Sequence, residues 1–209
     1  MLFVESFIAE NLNVVDEKII LSDDFLSFLK ETINDEKRLN HSLSVANLCY
    51  EVALANKLTN PLKYYLAGVI HDIGKNYDKA KSIDIIDTYY HSYLYFPRYS
   101  FHQFVGEYLV MNKLCIYDQE ILEAVRYHCT GAKNMSSMSK IVYACDKIDP
   151  LRGFDSSELI KAMMDDYVTG FITVLEANRD FLMSKAKSKE EINAIQNELS
   201  KECFEYYLN

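Results

Sequence analysis

Apolar residues recur along most of this chain at helical spacing. Leu39, Leu43, Ala46, Val52 and Ala53 fall close to one stripe with Cys49 between them, the periodicity of an amphipathic helix, with His41 placed at the helix start. Asn60-Pro61 predicts an N-cap followed by proline at the first helical position. That helix carries the apolar run Leu66-Ala67-Gly68-Val69-Ile70 into the doublet His71-Asp72, presented where the backbone turns away from the core. Asp118 is expected to cap a helix over 119–128, with Ile121, Leu122 and Val125 facing inward. Ser136 or Ser137 opens the next helix, and Pro150 stops it just after Asp149. Ser188-Lys189-Glu190-Glu191 has the capping-box form ahead of a charged C-terminal helix. Strongly alternating runs are absent, and three prolines and six glycines give little punctuation. The pattern predicts an all-α fold in one domain over residues 1–209, without repeats or linkers.

Residues 76–100 are the least regular part. They hold Tyr77, Tyr89, Tyr90, Tyr93, Tyr95 and Tyr99, together with Pro97-Arg98. Two readings fit them: a short helix and loop covering the core, or a lid whose rings stack on a nucleobase.

Composition narrows the function. With 209 residues, 49% apolar and 25% charged, the chain can bury a core without staples. No stretch approaches the roughly 20 apolar residues of a membrane span. The N-terminal segment carries early acids and lacks the basic flank of a signal peptide, so a cytoplasmic location is expected. Five widely spaced cysteines without a CxxC pair read as reduced, mostly buried thiols. A net charge of −9 argues against a nucleic-acid partner but not against a nucleotide substrate, because bound ions can supply a local positive field. The oligomeric state is left open, with a homodimer among the options.

Six residues of metal-ligand type follow one another: His41, the doublet His71-Asp72, His102, His128 and Asp146. The chain has only five histidines, and four belong to this set. A lone histidine is more often a hydrogen-bonded structural residue than a ligand, and His91, off the pattern, is read that way. Imidazoles mixed with carboxylates suit borderline divalent metals, and six donors are enough for two ions. Paired ions form a common device for in-line displacement at phosphorus. Arg126, two positions before His128, is read as structural, and Met163, Met164, Phe171 and Leu175 as core. Asp149 would either orient Arg152 or cap the reversal at Pro150.

The segments RLNHSLSV (38–45), LAGVIHDIGK (66–75), HQFVG (102–106), EAVRYHCTG (123–131) and SKIVYACDKIDPLR (139–152) occur in this order. With them the chain resembles the HD-domain metal-dependent phosphohydrolases, and among those the bacterial YqeK-type symmetrical diadenosine tetraphosphatases. Two residues depart from that pattern: Cys129 stands where Thr is expected, and Cys145 where a smaller residue is. The resemblance implies a single HD-domain helical bundle with a dinuclear metal site between core helices. Its metal-binding core would span about 36–155 and its C-terminal helices about 156–209.

By the same resemblance, His41, His71, Asp72 and Asp146 would hold one metal ion, and Asp72 would bridge to a second held by His102 and His128. Iron is the first expectation, with manganese, cobalt or zinc as other fits. Asp72 and Lys75 would be catalytic, and Arg38, Lys75, His102, Cys129, Thr130 and Arg152 would touch the substrate. The implied reaction is cleavage of diadenosine tetraphosphate and related dinucleoside polyphosphates into two ADP or other nucleoside diphosphates. Two alternatives remain: an HD phosphohydrolase acting on a nucleoside monophosphate or another phosphoester, and a regulatory module that binds nucleotide without turnover.

Overall fold

The computed structural model describes residues 4–185 and 198–209, so the capping box at Ser188–Glu191 lies outside the described residues. Helices dominate: α1 (Val4–Asn11), α2 (Asp23–Ile33), α3 (Glu36–Ala55), α4 (Pro61–Ile70), α5 (Lys79–Tyr89), α6 (Phe101–Lys113), α7 (Gln119–Tyr127), α8 (Ser137–Ile148), α9 (Ser157–Asp165), α10 (Tyr167–Lys185) and α11 (Glu198–Leu208). The all-α expectation holds, with one correction. Strands β1 (Leu12–Val15) and β2 (Lys18–Leu21) pair antiparallel as a hairpin. Asp16 and Glu17 form its two-residue turn with φ of 47° and 63°, the doubly left-handed geometry that matches strand twist. The hairpin folds Leu12 into the core and leaves Val14, Val15 and Ile20 exposed.

Several starts follow from local chemistry. The Asp118 side chain accepts from the amides of Glu120 and Ile121 and thereby caps α7, and Ser136 accepts from Ser139 N and caps α8. Two expectations need correcting. α3 begins at Glu36 behind an Asp35 cap, so His41 sits in its second turn, not at its start. Asn60 precedes Pro61 as expected but lies in the left-handed region (φ 52°) and makes no side-chain cap.

The centre of the molecule is the α3/α4 pair, which packs on α7 and α8. A Cβ on Gly68 would lie 2.7 Å from Ala46 Cα, so only glycine lets α4 cross α3 this closely. The same device recurs beyond α4, where a Cβ on Gly74 would lie 2.3 Å from His102 O. These two close approaches bring the C-terminal end of α4 against His41 on α3 and against His102 on α6. The predicted core residues Met163, Phe171 and Leu175 are buried, and Met164 packs at the core's edge.

The tyrosine-rich segment forms α5 and two short 3-10 turns; Tyr77, Tyr90 and Tyr93 pack against the core, whereas Tyr89, Tyr95 and Tyr99 are exposed. Tyr93 stacks on Phe104 at 4.4 Å, Tyr90 lies tilted against the same ring, and Tyr89 meets Tyr108. The Tyr95 hydroxyl donates to Glu198. No helix among the described residues is long and apolar enough to cross a membrane.

Candidate metal centre

His71 caps the C-terminus of α4, His128 caps that of α7, His102 lies in the first turn of α6, and Asp146 in the last turn of α8. Together with His41 they converge at one point. His41, His71 and Asp72 offer donor atoms within 4.8 Å of one another, and so do Asp72, His102 and His128, so that Asp72 belongs to both groups. Asp146 Oδ1 adds a donor 3.1 Å from His41 Nε2 and 3.7 Å from His71 Nε2. All six residues picked from the sequence therefore meet, whereas His91 is exposed elsewhere and pairs with Asp87.

The imidazoles are oriented by a shared rule. His71 Nδ1 donates to Gly68 O at 2.6 Å, His102 Nδ1 to Tyr99 O at 2.7 Å, and His128 Nδ1 to Val125 O at 2.7 Å, each the carbonyl three residues back. A proton held at Nδ1 leaves the lone pair on Nε2, which is how a ligating histidine is prepared. His102 Nε2 and His128 Nε2 then face each other at 3.0 Å, and both look onto Asp72 Oδ1, at 3.3 and 3.5 Å. Buried His71 Nε2 and Asp72 Oδ1 have no hydrogen-bond partner among the described residues. Acceptors gathered this way away from water call for a cation between them. The donor set fits a pair of divalent ions.

The ionisation states agree. Burial, then the neighbouring His128 and Lys75 charges, push His102 well below its ordinary value, and burial likewise lowers His128, so both are neutral. Burial alone would raise Asp72, but the imidazoles of His128, His71 and His102 that face its carboxylate hold it well below the carboxylate range. Burial is also outweighed at Asp146, by Lys147 first and then by His41, His71 and Arg152. His41 differs from the other imidazoles. Burial lowers its proton affinity, but the Asp146 and Asp149 carboxylates raise it more, to about 9.

Asp149 is the residue the sequence left undecided. It caps the turn at Pro150 through Leu151 N, and its carboxylate accepts from His41 Nδ1 (2.5 Å) and Ser44 Oγ (2.6 Å). Lys147 is not marked out by the sequence pattern either. Its ammonium donates to Asp146 Oδ2 at 2.8 Å and to His128 O at 3.0 Å, tying the C-terminal ends of α7 and α8 together. One signal was available: each ligating histidine needs a partner for Nδ1, and Asp149 lies on the same chain reversal as Asp146.

The centre opens into a cleft of about 900 Å³ lined by Asp35, Glu36, Lys37, Arg38, Asn40, His41, Asp72, Lys75, Leu151 and Arg152. Arg38 lies 3.7 Å from Asp72 Oδ2, Lys75 Nζ lies 3.7 Å from Asp72 Oδ1 and 3.2 Å from His102 Nε2, and Arg152 pairs with Asp146. α4 has ended by then, so Lys75 arrives on a turn and not on a continuing helix. Cys129 is half-buried, and burial raises its thiol's pKa. Thr130 does not reach the cleft wall; it is buried, and its hydroxyl donates inward to Gln103 Oε1 and Gly131 O. Arg126 pairs with buried Glu107, the structural role expected of it.

A helical scaffold that presents His, His-Asp and Asp donors from its helix ends defines a class, and the chain belongs to it: the HD domain family matches residues 38–151. The family expected from the motifs is thus borne out. Among similar proteins, the symmetrical bis(5'-nucleosyl)-tetraphosphatase of Halalkalibacterium halodurans is 30% identical, over 72% of this chain and 81% of its own length. The protein of the same name from Bacillus subtilis is 29% identical, over 78% and 88%. A probable nicotinate-nucleotide adenylyltransferase/Ap4A hydrolase of Mycoplasma genitalium is 28% identical over 68% of this chain, which spans only 42% of that longer protein. A crystal structure from Clostridium acetobutylicum, described as an HD superfamily hydrolase involved in NAD metabolism, superposes with a TM-score of 0.75. It is 27% identical, and the match covers 89% of this chain and 96% of that one.

Proposed function

We propose that this chain is a two-metal phosphohydrolase that cuts diadenosine tetraphosphate and related dinucleoside polyphosphates into two nucleoside diphosphates. The observation that carries this reading is the convergence of two donor groups on one shared carboxylate, Asp72, at the floor of a cleft rimmed by Arg38, Lys75 and Arg152. The names of the Halalkalibacterium and Bacillus relatives support the substrate. In this reading His41, His71, Asp72 and Asp146 hold one ion, and Asp72, His102 and His128 hold the other, with iron the first choice over manganese, cobalt and zinc. Such ions supply Lewis acidity and a lowered water pKa at near-neutral pH.

The remaining steps fall to the chain's own side chains. Lys75, a mobile point charge, neutralises phosphate oxygens over Asp72. Arg38 and Arg152 are planar forks suited to bidentate phosphate contacts, which orient the polyphosphate and hold the departing ADP. Neutral His102 and His128 keep their Nε2 lone pairs for coordination. Cys129 has no charge to contribute, and Thr130 acts only by supporting Gln103 beside the site.

Product analysis tests the proposal. Diadenosine tetraphosphate is expected to yield ADP alone. AMP with ATP would reject symmetrical cleavage. An inert dinucleotide alongside brisk hydrolysis of a nucleoside monophosphate would move the protein to another HD activity.

A further inference from the structure

The phosphate cleft offers no aromatic ring except the His41 imidazole, which faces the metal centre, and the rest of its lining is charged or polar apart from Leu151. A nucleotide whose phosphates lie there must place its base elsewhere. A second recess of about 570 Å³ begins at Arg152, which lines both spaces, and it also touches Lys147, the residue bonded to Asp146. Its wall is mostly apolar, with Leu159 and Val174 behind two exposed rings, Phe154 (48% exposed) and Phe181 (56%). The two rings come from different elements, Phe154 from the loop after Arg152 and Phe181 from α10. Exposed aromatic rings beside a recess of drug-like size are the usual furniture of a small-molecule site.

We propose that this recess receives an adenine base of the nucleotide, stacked against Phe154 and Phe181 and read by Asn178. The inference rests on the nucleotide-hydrolase reading above and adds the base subsite. Asn178 is half-buried in the recess and donates one N–H to the Tyr143 hydroxyl at 2.8 Å. That bond anchors the amide and leaves its other N–H and its Oδ1 for a ligand. An amide pairs two-fold with the adjacent donor and acceptor of adenine, N6–H and N7, whereas a 6-oxo purine turns two acceptors toward it. The site should therefore prefer a 6-amino purine.

Adenosine, which carries no phosphate, is the probe, with binding to the full chain followed by saturation-transfer NMR and calorimetry. Wild-type protein is expected to bind adenosine several-fold more tightly than inosine. Phe154→Ala and Phe181→Ala should each weaken adenosine by roughly ten-fold, the scale of one base–ring stack. Asn178→Ala should erase the preference for adenosine. If an alanine variant fails to fold, Phe154→Leu and Phe181→Leu keep the apolar bulk without the ring and should show the same loss. Undiminished binding in the ring variants, equal affinity for the two nucleosides, or no binding by wild type would each overturn the subsite. Cleavage of diadenosine tetraphosphate is scored separately. Protein that cleaves it but ignores adenosine here refutes only the subsite, and protein that binds adenosine here without cleaving refutes only the hydrolase reading.

Discussion

Removing the Asp149 carboxylate should weaken metal binding although Asp149 is not a ligand. Asp149 is fully buried and accepts three hydrogen bonds, from His41 Nδ1 at 2.5 Å, Ser44 Oγ at 2.6 Å and Leu151 N at 3.3 Å. The first of these fixes the direction of His41 Nε2. A hydrogen bond to a charged group contributes about 1.5–3 kcal/mol. Loss of an orienting partner behind a ligating histidine costs about 10–100-fold in metal affinity, or about 1.4–2.8 kcal/mol. The two ranges coincide because both describe the same bond. Asp149→Ala is expected to fall within them, and Asp149→Asn, which keeps an acceptor but loses the charge, near the lower end. The assay is competition with a chromophoric chelator, run beside a thermal melt because the alanine also removes the cap on the Pro150 turn. A double-mutant cycle then decides the route. If Asp149 acts through His41, its removal should cost little more in a His41→Ala background. A full, additive loss there, or unchanged metal affinity in the single variant, would refute the reasoning.

Asp72→Ala is expected to reduce the metal content from close to two ions per chain to near none by elemental analysis, and to abolish turnover, because Asp72 belongs to both donor groups. His91→Ala, at an exposed imidazole paired with Asp87, should stay within a few-fold of wild type; damage equal to that of His102→Ala would break the assignment of the second site. Proton release supplies a third check. The carboxylates of Asp146 and Asp149 raise His41 to about 9, so below that pH an ion must displace a proton from it. The apparent affinity for the first ion should therefore climb with pH and flatten above about 9, with about one proton released near neutrality. Calorimetry in buffers of different ionisation enthalpy measures that proton, and a pH-independent affinity would contradict the state assigned to His41.

Where an element announces itself by local chemistry, the sequence was legible. α7 and α8 were readable because Asp118 and Ser136 cap runs whose apolar residues keep helical spacing. The sequence pattern places the start of α3 late because its first turn, Glu36-Lys37-Arg38, is charged and largely exposed, so the apolar period begins only at Leu39. The β1–β2 hairpin escaped because its strands are four residues long and its turn is Asp16-Glu17, without the glycine or asparagine that normally marks two left-handed residues. Tertiary pairing and packing against α1 impose that turn where local preference does not.

The donors were legible for a different reason: imidazoles are scarce in this chain, and four of the five fall in order with two aspartates. Their supports were not, because Asp149 meets His41 across 108 residues of sequence and no local spacing encodes that contact. The supports also bear on how a chain of net charge −9 could hold a polyanion. Asp72, Asp146 and Asp149 lie buried under the cleft, and the nearby cations Arg38, Arg152 and Lys147 are already turned onto the first two. A tetraphosphate approaching those carboxylates alone would meet cations whose charge is largely spent. Under the proposed function, two divalent ions among the six donors reverse the local sign and free Arg38 and Arg152 for phosphate. Metal loading is then a condition of substrate binding as well as of the chemical step, and the acidic character of the rest of the molecule is no obstacle to either.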